Sequence, residues 1–275
     1  MQQYKRVKNY ARGRSIALTD TSVEHTVSFK KFLVNLADVF LFVTQVFRNT
    51  FARGFEFREF LKQCFQIGNK SLGLISITGI IIGLVLTIQS RPVLVDFGAV
   101  NMLPSMVTIS LIREMGPVIT ALICAGKIGS SMGAELGSMR VTEQIDAMEV
   151  SSTNPIKFLV VPRVLACTLM IPLLTLYADA LGIFGGWLAA NIKGDISAVL
   201  FLTQAFRDVE FIDLIPAVIK SFFFGMVIAL VGCYKGYHAS AGTESVGVAA
   251  NTAVVMASLL VIFVDLIAVQ ITDLL

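Results

Sequence analysis

The sequence predicts an all-α integral membrane protein, with an N-terminal interfacial helix, five transmembrane helices, and a polar helix on the cytoplasmic side between the second and third. Three observations carry this. Of the 275 residues, 55% are hydrophobic and only 15% charged, with a mean hydropathy of +0.77; a soluble domain has about a quarter charged residues. Apolar runs long enough to cross a bilayer recur along the chain. Between two of them lies a charged island at 135–163, holding Glu135, Arg140, Glu143, Asp146, Glu149, Lys157 and Arg163. A long polar helix held between two spans cannot face lipid. It must lie in water or against another protein, which makes it a candidate docking element.

The elements follow in chain order. Residues 1–27 are polar and basic. Residues 1–70 hold twelve of the 22 Lys and Arg but five of the 19 acids, which implies a cytoplasmic arm near anionic lipid. The arm is too long and interrupted for a signal peptide. At 28–48 a helical period appears, with Phe29, Phe32, Leu33, Leu36, Phe40, Val43 and Phe47 on one face. Lys30, Lys31, Asn35, Asp38 and Gln45 fall between them. The apolar core at 32–47 is shorter than the roughly 20 residues a span needs, so the segment reads as an interfacial helix rather than a short extra span. This divides the chain into 1–70, the basic arm with its amphipathic helix, and 71–275, the transmembrane domain.

Five spans are expected. The first, 71–90, has no charge and should end at Arg91-Pro92. The second, about 103–130, contains Arg113, Glu114 and Lys127. The third, about 164–192, contains Asp179; the fourth, 214–234, Lys220; the fifth, about 246–272, Asp265. Loops 91–102 and 193–213 share one side, with Arg91, Lys193 and Arg207 against Asp96, Asp195, Asp208, Glu210 and Asp213. The basic arm, the island and the loop at 235–245 share the other. The positive-inside rule makes that second side cytoplasmic and leaves the C-terminus outside. Gly79-x-x-x-Gly83 and Gly129-x-x-x-Gly133-x-x-x-Gly137 allow close helix approach, within the chain more readily than between copies.

Catalytic chemistry has little to work with. Cys64, Cys124, Cys167 and Cys233 form no C-x-x-C pair, and His25 and His238 are the two histidines; no metal set or nucleophile motif emerges, and no metal or other cofactor is expected. No G-x-x-x-x-G-K-[ST] occurs. The nearest string, Ala125-Gly126-Lys127-Ile128, lacks the first glycine and the hydroxyl. ATP, if used, is bound by another polypeptide. In 140–148, Glu143 and Asp146 lie at i, i+3 on one expected helix face, Ala147 and Met148 offer an apolar contact, and Asn154-Pro155 should break the helix.

Three strings are specific: SLIREMGPVITALICAGKIGSSMGAELGSMRVTEQIDAMEV at 110–150, NPIKFLVVPRVLA at 154–166 and GCYKGYHASAGTESVGVAANTAVV at 232–255. From about residue 59 to the C-terminus the chain resembles the MlaE/YrbE family, the permease subunits of Mla and Mce lipid ABC transporters. The resemblance implies a permease in the inner membrane that moves phospholipid or a related hydrophobic molecule. It implies a second permease copy, a cytoplasmic ABC ATPase and an MCE-domain protein on the outer side as partners, with no nucleic acid. It makes Arg140, Glu143, Asp146, Ala147 and Met148 an ATPase-coupling element, and the turn expected at 234–237 a possible second contact.

The charges inside the spans then have two readings. Arg113, ten residues into its span, falls near the bilayer middle, and Glu114 points about 100° away from it. A central charge is costly and must face a cavity or a partner. Either Arg113 or Lys220 pairs with Asp265, Asp179 or Glu114 to hold the bundle, or Arg113 and Lys220 meet one lipid phosphate beside Glu114 and Asp265. The sequence also leaves room for a proton-coupled secondary transporter using intramembrane carboxylates, and for a lipid-modifying enzyme using Glu143 and Asp146.

Overall fold

A computed structural model of the chain describes residues 33–34, 36–51, 55–194, 196–272 and 274. The basic arm at 1–27 and the beginning of the expected interfacial helix at 28–32 lie outside the described residues. Helix α1 covers 36–50, where the apolar period predicts it, and Phe40 and Phe47 are exposed on it. The chain forms two compact units, Met1–Arg48 and Asn49–Leu275.

The second unit is helical throughout its described elements. Helix α2 spans Phe57–Asp96. The second span is one rod over Val100–Val141, made of a 3-10 turn, α3 (Leu103–Ser110), α4 (Gly116–Cys124) and α5 (Ser130–Val141), joined by π-turns at Leu111–Met115 and Ala125–Gly129. Then come α6 (Gln144–Val150), a π-turn at Ile156–Val160 leading into α7 (Val161–Gly194), α8 (Ala198–Ala205), α9 (Phe211–Tyr237) and α10 (Thr243–Thr272). Five helical rods are long and apolar enough to cross a membrane.

Burial follows from lipid as solvent. On α2 the buried residues Ile67, Ser71, Ile75, Gly79, Gly83 and Thr87 recur every fourth position. The remaining faces expose Ile77, Ile81 and Val85. A narrow small-residue seam with an apolar exterior suits a helix whose outside meets acyl chains. Helix α10 repeats the pattern, burying Ala249, Ala253, Ala257 and Val261. Helix α7 is the most buried span and packs against α2 on one side and α9 on the other.

Backbone contact sets the α2–α7 distance. A Cβ on Gly83 would collide with the Gly182 carbonyl, and one on Gly185 with the Ile80 carbonyl. The Gly79/Gly83 spacing therefore packs helices of the same chain. Gly133 and Gly137 likewise face Ala249 and Val246 of α10.

Several expected boundaries are corrected. Helix α2 runs without a break through residue 70, where the sequence suggested a division, and through Pro92 to Asp96. Proline removes one amide donor near the helix end but leaves the other ladder bonds intact. The island at 135–163 is not one long helix: α5 ends at Val141, and α6 begins only after Glu143, whose φ is +57°. Helix α6 ends at Val150, ahead of Asn154-Pro155. Residues 234–237 form the last turn of α9, not a loop. The region 193–213 contains α8, whose Phe201 and Ala205 are buried against Leu103, Val107, Leu111 and Ile183.

Candidate functional site

The first π-turn of the second span displays Arg113 and Glu114. Pro117 lacks the N–H that would bond the Arg113 carbonyl, and the ladder slips so that the Gly116 N–H meets the Leu111 carbonyl. Gly116 leaves room for the Asp179 carboxylate of α7, which a Cβ there would displace.

Lys220 is the hub of this region. It is 5% exposed, and its Nζ donates to Glu114 Oε2 at 2.9 Å and Asp265 Oδ1 at 3.0 Å. One ammonium thus ties the second, fourth and fifth spans together. Arg113 points elsewhere. Its Nε and Nη2 meet Asp213 Oδ1 at 2.6 Å and 2.5 Å. Asp213 Oδ2 accepts from the Glu210 N–H at 3.0 Å, closing a capping box at the start of α9. The ion pair puts Arg113 level with the first turn of α9, not in the middle of that helix.

Exposure separates the groups. The Arg113 side chain is 58% exposed and Glu114 45%, while Asp213 and Lys220 are buried. Arg113 and Lys220 share no partner. Asp179 is also buried, and its Oδ1 has no hydrogen-bond partner among the described residues. Counting formal charges, Arg113 and Asp213 cancel, and Lys220 against Glu114 and Asp265 leaves a net −1. An anion reaching Lys220 must displace a carboxylate, whereas the outer edge of Arg113 is open.

At the other end of the bundle, Arg140 at the end of α5 pairs with Asp146, and Ile145 is fully buried. Tyr237 donates to Glu149 at 3.1 Å. Arg163 is fixed by the Leu159 carbonyl at 2.7 Å and by Glu135 at 3.3 Å. Asp146 is tied to α5 by its Arg140 pair while its side chain stays partly exposed. Glu143, Ala147 and Val150 form the exposed face, Val150 with 86% of its surface free. Glu143 precedes the helix with a left-handed backbone, so the regular i, i+3 helix spacing expected for Glu143 and Asp146 does not apply. Met148 is half-buried.

The family model described as Permease MlaE matches residues 60–271. A probable ABC transporter permease protein of Rickettsia prowazekii is 42% identical over 202 residues, covering 74% of this chain and 78% of that protein. A probable ABC transporter permease protein of Synechocystis is 36% identical over 248 residues, covering 90% and 93%. The intermembrane phospholipid transport system permease protein MlaE of Haemophilus influenzae is 35% identical over 208 residues, covering 75% and 80%. The chain belongs to the MlaE permease family.

Two features of this MlaE-family chain escape a reading by sequence. Asp213 counts there as a loop acid, although Glu210-x-x-Asp213 ahead of an apolar run has capping-box spacing. Val150 is not singled out by the sequence, and the structure shows it exposed at the end of α6. Among the described residues no group of His, Cys, Asp and Glu is arranged to hold a metal ion.

Proposed function

We propose that this chain is the membrane permease of an ABC transporter that moves phospholipid, driven by ATP hydrolysis on a separate cytoplasmic subunit. Membership of the MlaE family carries the reading, and the phospholipid transport named for the Haemophilus influenzae relative supports the substrate. The chain would work in the inner membrane beside a second copy, with an MCE-domain protein on the outer side. The α6 end would be cytoplasmic, which the basic N-terminal arm supports. The exposed α6 face would then dock the ATPase.

The Arg113–Glu114 end would meet the lipid. Arg113 is the group best able to take the headgroup phosphate, since its guanidinium is half open and already held in place by Asp213. Lys220, Glu114 and Asp265 would set the polar floor of that site. Lipid phosphorus per purified complex tests this. Arg113→Ala should lower it several-fold, and Arg113→Lys should recover part of the loss. Unchanged lipid content together with a sharply lowered melting temperature would leave Arg113 as a structural ion pair only.

A further inference from the structure

A second polar pocket lies about 21 Å along the second span from Arg113, at 1.5 Å per residue. Lys70, Ser71, Lys127 and Glu135 line it beside apolar Ile67 and Met132. It sits between α2 and the second π-turn, towards the α6 end of the bundle.

Its side chains are arranged for an anion. Lys127 projects from the π-turn, and its Nζ donates to the Lys70 backbone carbonyl. An ammonium has three donors, so this bond leaves donor capacity and neutralises no charge. Neither Lys70 nor Lys127 belongs to any ion pair among the described residues. The nearby carboxylate, Glu135, is held by Arg163 and accepts from Ser131 at 3.3 Å. The pocket therefore carries uncompensated positive charge.

Ser71 supplies an independent sign. It is 1% exposed, and its Oγ has no hydrogen-bond partner among the described residues. A serine inside a helix ordinarily donates to the carbonyl four residues back, as Ser76 and Ser110 do at 2.7 and 2.8 Å. Leaving a buried hydroxyl unpaired is costly. The Oγ is closed off in this conformation, and a turn of the Ser71 side chain toward the pocket would let a ligand oxygen satisfy it.

We propose that this pocket binds a phosphate group through Lys127, Lys70 and Ser71, and that its occupant is the headgroup of a phospholipid in the leaflet at the α6 end. The two lysines neutralise the anion while Ser71 orients one oxygen. The pocket is separate from the Lys220 cluster and stands whether or not that cluster handles substrate.

The full chain, purified in phosphate-free detergent, is titrated with dihexanoyl phosphatidylglycerol, inorganic phosphate and dihexanoylglycerol, and adducts are counted by native mass spectrometry. The phosphatidylglycerol adduct should form, and dihexanoylglycerol should give none. Lys70→Gln and Lys127→Gln should each weaken the adduct about tenfold, the loss of one charge-assisted contact. Lys70 is exposed, so its variant keeps the fold, and an unchanged melting temperature verifies that. Tighter binding of the lipid than of inorganic phosphate supports a headgroup site. Equal binding supports the anion site and assigns it to free phosphate. Wild-type adduct formation in both lysine variants overturns the proposal. So does a loss seen only in Arg113→Ala, which would place the bound lipid at the Lys220 end.

Discussion

Lys220 shows why removing a buried charge and removing its partner are unequal acts. With Lys220 gone, Glu114 and Asp265 face each other without a cation. With Asp265 neutralised, Lys220 still holds Glu114 at 2.9 Å. Breaking a buried pair on its central member costs on the order of 3 kcal/mol. Lys220→Ala should therefore lower the melting temperature of the detergent-purified chain clearly more than Asp265→Asn. An equal or larger loss in Asp265→Asn would mean that Lys220 is not the hub. The members of this cluster were legible in the sequence, because an ionisable residue in an apolar run has no ordinary explanation. The pairing of Lys220 with Glu114 or Asp265 was one of the two readings the sequence offered, but the partner of Arg113 was not. Asp213 stands 100 positions from Arg113, and hydropathy says nothing about which acid a cation reaches.

At the scale of elements, the α2–α7 seam and α6 make opposite demands. The seam needs absence of side chain. Gly83→Ala drives a Cβ into the Gly182 carbonyl, whereas Gly73 has open space around it. Overpacking against backbone costs roughly 1–3 kcal/mol. Gly83→Ala should lower thermal stability by about that much. Gly73→Ala should leave it unchanged or slightly raised. Similar melting temperatures for the two variants would show that α7 yields easily.

Helix α6, in its proposed docking role, needs an exposed face. Val150→Asp should reduce ATPase co-purification and ATP hydrolysis several-fold without changing the melting temperature, because Val150 touches little of its own chain. Wild-type coupling in Val150→Asp would remove that face from the docking surface. The apolar periods located these elements, and their ends moved by up to fourteen residues, at the start of the first span. Polar residues such as Glu135 and Arg140 continue a helix beyond the hydrocarbon when backbone hydrogen bonds and packing on α10 favour it. The break at Glu143 is a backbone event, and no residue there (neither glycine nor proline) announces it.

For the whole molecule, orientation decides which end would meet the proposed ATPase and which the proposed outer-side partner. Single cysteines at Ser151 and Val199, both exposed, in a background lacking the four native cysteines, report it. A membrane-impermeant thiol reagent on intact, outer-membrane-permeabilised cells should label position 199 and spare 151. The reverse pattern would invert the topology and move the ATPase to the other end.

Composition and periodicity alone determined that the chain is an all-α membrane protein with five spans, because the cost of leaving backbone polar groups in lipid permits few other solutions. Ordered motifs pointed to its family. Tertiary structure decided the rest. It set Arg113 on Asp213 and Lys220 between two carboxylates, paired Asp146 with Arg140, and brought Lys70, Ser71 and Lys127 around one pocket. Partner choice depends on which helices lie side by side and at what height, and that is set in part by small-residue seams such as Gly83 against Gly182, where an added methyl group would collide with backbone.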